Sequence, residues 1–217
     1  MYAFPRFATG DPRHAVDLVR DNPFALIVSV AGGVPVATHA PVIIEDPASA
    51  ATSFAGTTLL GHMARVNPQW RTLEAAPEIL VVFSGPHGYV SPAMHGADPS
   101  VPTWNYAAVH LTGRAELITD PDGVLDVVER TVRTVEAPRT PEWRPSPESR
   151  RTFRGILQGV AAFRLHVRHE QSLFKLSQDQ DDGLRGRVWD AFAAGADANP
   201  DLADLMSRVD PRGSDRR

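Results

Sequence analysis

The sequence contains no cysteine. That excludes a disulfide framework, a thiolate metal site, an iron–sulfur cluster and a cysteine nucleophile. Lysine is nearly absent too: of 22 basic residues, 21 are arginine and only Lys175 is lysine. High-GC codon usage accounts for the bias. It still draws attention to Lys175, because a compact ammonium and a planar guanidinium are not interchangeable. There is no basic excess, since 22 basic against 26 acidic residues give a net charge of −4, and this argues against a nucleic-acid partner. No apolar run approaches the roughly 20 residues needed to span a bilayer. The opening MYAFPRFATGDPRH lacks the basic-then-apolar order of a signal peptide, so the expectation is a cytoplasmic protein. No G-x-G-x-x-G, Walker, G-x-S-x-G or H-E-x-x-H motif occurs, and there is no internal repeat.

What is present is the composition of an ordinary globular domain: 217 residues, 42% hydrophobic and 22% charged. We expect one domain over 1–195 and a polar tail over 196–217 that frays from about Ala194. Asp11 and Pro12 open a short helix to residue 21. Phe24–Val30 and Val34–Ile44 flank a Gly-Gly turn and read as a β-hairpin. Thr52–Leu60 reads as a third strand. Met63, Val66, Trp70 and Leu73 recur at helical spacing, which predicts a helix over 61–74 interrupted at Pro68. Ile79–Phe83 is a buried strand, and 85–101 a functional loop rich in Gly, Pro and His. Trp104–Ile118 is a long strand, 121–136 an amphipathic helix, and 138–150 a Pro-rich connector. Phe153–Leu157 is a helical turn, Val160–His169 a last strand and Asp179–Phe192 a polar helix. Strands with hairpin links and inserted helices favour an α+β fold, an antiparallel barrel with peripheral helices.

Five of the eight histidines (His39, His62, His87, His95 and His110) fall in or beside strands and the Gly/Pro loop, and His166 and His169 lie on the last strand. Histidine is an iron and haem ligand and the usual acid–base group near neutral pH. No pair has a local zinc spacing. The segment Gly61-His62-Met63-Ala64-Arg65-Val66-Asn67-Pro68 suggests a strand ending in glycine, then a histidine, then a helix start. A helix N-terminus offers free N–H groups to an anion, and Arg65 one turn in could clamp a phosphate or propionate. The plainer reading is a cap with a surface arginine.

Several segments together resemble the PaiB-like family, described as FMN-binding negative transcriptional regulators with an FMN-binding split-barrel fold. They are Ala37-Thr38-His39-Ala40-Pro41, Gly61–Trp70, Gly85-Pro86-His87-Gly88-Tyr89-Val90-Ser91-Pro92, Val101–Tyr106 with Val109-His110, and Phe174-Lys175-Leu176-Ser177-Gln178. The resemblance implies an antiparallel split β-barrel and a homodimer with the cofactor at the subunit interface. Within the family, Thr57-Thr58-Leu59-Leu60-Gly61-His62-Met63 is similar to the piperazate synthase branch, haem enzymes that cyclise N5-hydroxyornithine to piperazic acid by forming an N–N bond. Ala64 and Gln69 look like the regulator branch. The resemblance therefore implies haem b, with FMN as the alternative cofactor, and a small amino-acid substrate. It implies His62 as the metal ligand, with His39, His87 and His110 open for that role. Arg65, His39, Trp104 and Ser177 would bind the cofactor, and Lys175, Tyr89 and His87 would be catalytic. Arg65 or Arg114 would meet the substrate carboxylate. The 179–192 helix sets four aspartates against Arg185 and Arg187, which is a poor DNA-recognition face.

Overall fold

The computed structural model describes residues 1, 4–96 and 98–210. Six strands, β1 (Phe24–Ala31), β2 (Val34–Ile44), β3 (Thr58–Ala64), β4 (Glu78–Val90), β5 (Thr103–Ile118) and β6 (Val160–Lys175), close into a ring in the order β1-β2-β3-β6-β5-β4. Closure leaves no exposed sheet edge. The β1–β2, β1–β4, β2–β3 and β3–β6 pairs are antiparallel, so the expected antiparallel barrel with peripheral helices is what forms. The β1–β2 hairpin turns on Gly32 and Gly33, both at positive φ (58° and 82°), as a two-residue primed turn requires. The helices are α1 (Arg13–Asp21), α2 (Trp70–Ala75), α3 (Pro92–His95), α4 (Pro121–Glu136), α5 (Pro147–Ile156), α6 (Asp182–Ala194) and α7 (Pro200–Val209). Among the described residues no helix is long and apolar enough to cross a membrane.

The chain divides into two compact units. One comprises Val19–Phe83 and His110–Glu170. Its core joins Ile43, Leu60, Ile118, Val124, Val127 and Ala162, so α4 lays its apolar stripe over the sheet. In this unit β3 pairs with β6, Gly61 opposite Phe163 and His62 opposite Ala162. Gly61 must be glycine: a Cβ there would lie 2.4 Å from Phe163 Cζ, a ring that is wholly buried. A cavity of about 760 Å³ lies among Pro23, Ile43, Ile44, Val135 and Pro138, and none of the sequence-predicted site residues lines it.

The other unit comprises Met1–Leu18, Ser84–Val109 and Gln171–Arg217. Here α6 and α7 are joined by buried Arg185, whose Nη2 donates to the Met206 carbonyl at 2.7 Å. A side chain at Gly88 would meet Phe192 at 2.7 Å and Leu202 at 2.9 Å, so both helices cover β4 at that glycine.

Several boundaries differ from the sequence expectation. The third strand begins at Thr58, six residues late, and runs through Gly61, His62 and Met63. Residues 85–90 of the expected loop continue β4. The last strand extends to Lys175. Leu202, Ala203, Leu205 and Met206 bury one face of α7, so that stretch does not fray; residues 211–217 of the expected tail lie outside the described residues.

Candidate functional site

Of the eight predicted site residues, His39, His62 and Arg65 belong to one unit and His87, Tyr89, Trp104, Lys175 and Ser177 to the other.

In the first unit, His62 is not at a strand end beside a helix. It lies inside β3, half-buried, and α2 begins only at Trp70 with six residues. The helical spacing of Met63, Val66 and Trp70 misled because Gly61–Met63 satisfy the β3–β6 ladder instead. The expected anion site at a helix start is therefore absent. His62 Nδ1 is buried and has no hydrogen-bond partner among the described residues. Burial pushes the His62 pKa below its ordinary value of 6.5. The ring is thus neutral near pH 7, and a neutral imidazole keeps one lone pair for a metal.

The turn after β3 is fixed by polar side chains. Asn67 Nδ2 donates to Thr38 Oγ1 at 2.7 Å, and Asn67 Oδ1 accepts from the Gln69 N–H at 3.0 Å. Gln69 is buried, and its Nε2 donates to the Ile27 carbonyl (3.0 Å), Ser29 Oγ (3.1 Å) and the Val36 carbonyl (3.2 Å). Gln69 thereby pins the turn to the β1–β2 hairpin. Sequence reasoning took it only as a likeness to the regulator branch and missed this role. Two guanidinium groups approach the Trp70 ring, Arg65 at 4.8 Å and Arg71 at 4.9 Å from its centroid. Its Nε1 donates to the Arg65 carbonyl at 2.9 Å, and Arg65 Nε reaches the Val160 carbonyl at 3.4 Å. His39 is exposed and stacks on Phe24 at 5.6 Å. Burial lowers the pKa of His110 too, in β5.

In the second unit, Trp104 is flanked by His87 (6.1 Å) and Tyr89 (5.8 Å, edge-on). Trp104 and Tyr89 are 52% and 47% exposed, so the trio presents an open aromatic surface. Asn199 Nδ2, capping α7, donates to the His87 carbonyl at 3.0 Å.

Side chains alternate over Phe174–Leu176 of the Phe174–Gln178 segment. Phe174 and Leu176 are fully buried, and Lys175 between them turns the other way. Lys175 Nζ donates to Thr103 Oγ1 and lies 5.9 Å from the Phe7 ring centroid. Ser177 holds a left-handed φ of 62°, which is rare for a residue with a side chain. It is kept there by Asn105, wholly buried, whose amide exchanges hydrogen bonds with Ser177 Oγ at 2.9 and 3.1 Å. Asn105, Thr103, Lys175 and Ser177 line one small polar cavity with His95, Asp179 and Gln180. Asn105, Thr103 and Asp179 were not singled out from sequence. The signal available was that Thr103 and Asn105 lie inside the Val101–Tyr106 motif.

The donor set suits a group held by a single protein ligand rather than a bare metal centre. Among the described residues no cluster of three or more His, Asp or Glu side chains could hold an ion, whereas haem needs one protein donor on its iron, and His62 supplies a neutral, unpartnered ring.

A six-stranded closed antiparallel ring with peripheral helices makes this a split-barrel protein. The family model described as "Putative FMN-binding domain" matches residues 1–169, and the chain belongs to that family. It is 31% identical over 182 residues to Protease synthase and sporulation protein PAI 2 of Bacillus subtilis (strain 168), covering 84% of each chain. Among solved structures, the conserved hypothetical protein Rv2991 from Mycobacterium tuberculosis superposes with a TM-score of 0.57 at 12% identity, over 83% of this chain and 94% of that one. The FAD and Heme binding protein from Mycobacterium smegmatis superposes with a TM-score of 0.53 at 21% identity, over 77% and 72%. Both structural likenesses concern the fold.

Proposed function

We propose that the chain is a haem-dependent piperazate synthase, which cyclises N5-hydroxyornithine to piperazic acid. The observation that carries the reading is His62, a half-buried imidazole held neutral near pH 7, whose buried Nδ1 has no hydrogen-bond partner among the described residues. The run Thr57–Met63, in which it sits, resembles that branch of the family. His62 would hold the iron, with His39 and Arg65 of the same unit offering a ring and a cation to a planar cofactor with anionic edges. When bound, haem would supply a Lewis-acidic iron that weakens the substrate N–O bond.

The reaction balances without an external electron donor. The N–O bond breaks, the α-amine forms the N–N bond, and water leaves. The hydroxyl must leave protonated, and His87 or Tyr89 can supply that proton. Ring closure depends on holding the two nitrogens close, the task assigned here to Lys175 and its neighbours. The protein would act as a homodimer, the partner covering the exposed Trp104–Tyr89–His87 surface. An FMN-binding protein is the second reading, favoured by the family match.

The absorption spectrum of protein purified with haem supplied during expression tests the choice. A Soret band that His62→Ala abolishes, a dimeric mass in solution, and conversion of N5-hydroxyornithine to a product lighter by one water are expected. A flavin spectrum with no Soret band refutes the reading.

A further inference from the structure

The unit that carries Lys175 contains a polar cavity of about 250 Å³, lined among others by Thr103, Asn105, Lys175, Ser177 and Asp179. It is smaller than the roughly 300–1,000 Å³ of sites that enclose drug-sized ligands, so it suits a small polar group rather than a haem or a flavin. Its lining carries one cation and one anion. Lys175 Nζ has three hydrogens to donate; its hydrogen-bond partner is the neutral hydroxyl of Thr103. Among the described residues no carboxylate lies within 4.0 Å of Lys175 Nζ, and Asp179 forms no ion pair. A half-buried ammonium without a counter-ion faces the same space as an exposed carboxylate without an ion pair, so one ligand entering that space can meet both charges.

The floor between them is tied by hydrogen bonds. Asn105 is fully buried and locks Ser177 in its left-handed conformation, while Gln178 Oε1 accepts from the Leu176 N–H at 2.6 Å and closes the turn. Strain held by a buried amide at the edge of a cavity is the mark of a position shaped for a ligand.

We propose that this cavity binds the zwitterionic head of an α-amino acid, its carboxylate on Lys175 and Thr103 and its ammonium on Asp179. Groups of opposite charge on one ligand carbon match the one cation and the one anion of this lining. The inference rests on the amino-acid substrate of the reading above and deepens it by assigning the recognition groups.

Calorimetric titration of the purified full chain tests it with three probes: L-ornithine, 5-aminopentanoate, which lacks the α-amine, and putrescine, which lacks the carboxylate. L-Ornithine should bind, and each truncated probe should bind at least about tenfold more weakly, because a charge-assisted contact is lost and its partner left unpaired. Lys175→Met and Lys175→Arg, at unchanged melting temperature, should weaken L-ornithine by a similar factor and leave putrescine unchanged, since the larger fork does not replace a compact ammonium. Asp179→Asn should weaken L-ornithine and leave 5-aminopentanoate unchanged. Putrescine binding as tightly as L-ornithine, no L-ornithine binding, or binding unchanged by these variants overturns the proposal. The two readings fail separately. L-Ornithine binding in a protein with no Soret band and no cyclised product removes the cyclase and keeps the head-group site. Cyclisation by Lys175→Met at unchanged KM removes the head-group site and keeps the cyclase.

Discussion

Replacing Gln69 by glutamate changes one amide into a carboxyl at the point where the turn after β3 is pinned to the hairpin. The shape is kept and the hydrogens are lost, in a pocket where Gln69 Nε2 serves the Ile27 and Val36 carbonyls and Ser29 Oγ. An ionised carboxylate would face those acceptors with nothing to donate, so the folded variant must hold a proton. At pH 7 that costs about 3.7 kcal/mol, from an ordinary glutamate pKa near 4.3 and about 1.36 kcal/mol per pH unit. One O–H cannot serve both carbonyls, and the one left without a donor adds about 1–3 kcal/mol. The loss is therefore about 5–7 kcal/mol at pH 7, as much as the whole stability of many domains. The folded pKa of the new carboxyl is raised, so its penalty shrinks on acidification, and near pH 4 only about 1–3 kcal/mol remains. Gln69→Leu is the control. It deprives both carbonyls but also removes the unpartnered Gln69 Oε1, for a net loss of about 1–3 kcal/mol that is flat in pH. Urea denaturation of the three proteins at pH 7 and pH 4.5 reads these differences directly. A Glu-minus-wild-type difference below about 1 kcal/mol, or one that does not narrow on acidification, refutes the reasoning.

Acidification should also weaken the wild type. Burial holds His62 below its ordinary 6.5, so as pH falls through 6.5 the unfolded chain gains a proton that the folded chain resists. Stability is complete above 6.5 and declines below it, by at most about 1.4 kcal/mol per pH unit for each such histidine. His110 adds the same sign. Asp11, held at about 2 by hydrogen bonds from Arg13, acts only at lower pH. Urea midpoints between pH 8 and 5 should show the decline, and His62→Gln should reduce its slope. Two glycine substitutions should rank by what they strike. Gly113→Ala drives a Cβ to 2.1 Å from the backbone oxygen of His166 and forces β5 from β6, whereas Gly61→Ala meets the Phe163 ring at 2.4 Å. Gly61→Ala should cost about 1–3 kcal/mol as overpacking does, Gly113→Ala more, and equal melting temperatures would reject that order.

The fold was legible where local chemistry is strong. Gly32-Gly33 dictates a hairpin on its own, and α4 announces itself through Asp120 and Pro121 at its start, where the aspartate caps Gly123 N–H at 2.6 Å. The reading failed at 61–66 because the same residues fit two periods. Met63, Val66 and Trp70 satisfy a helix on paper, but the partner strand 160–164 lies a hundred residues away and decides for β. Length was misjudged wherever glycine and histidine replaced branched residues, as in 85–90, since the ladder tolerates them once neighbours pair on both sides. The site was legible as motifs and not as geometry. Lys175 and Ser177 were singled out and do share one cavity. Asn105 and Asp179 could not be chosen, because an asparagine in a strand and an aspartate in a loop are ordinary until a cavity gives them a common face.

Within the matched motifs, polar groups sort into those the fold satisfies and those it leaves open, and the sorting predicts opposite effects of substitution. Asn67 uses its amide on Thr38 Oγ1 and the Gln69 N–H. Removing it as Asn67→Ala forfeits those bonds and should cost about 1–3 kcal/mol. His62 holds a buried Nδ1 that gains nothing from the fold. A leucine in its place removes an unpartnered polar atom and keeps apolar bulk. In protein prepared without haem, His62→Leu should therefore be neutral or more stable by up to about 1–3 kcal/mol, while losing all capacity to develop a Soret band when haem is added. Stability surrendered at one residue and recovered on its replacement is the trade expected of a functional side chain. Urea midpoints of the two variants, measured side by side, test it. If His62→Leu loses as much as Asn67→Ala, the histidine belongs to the scaffold and is not the proposed iron ligand.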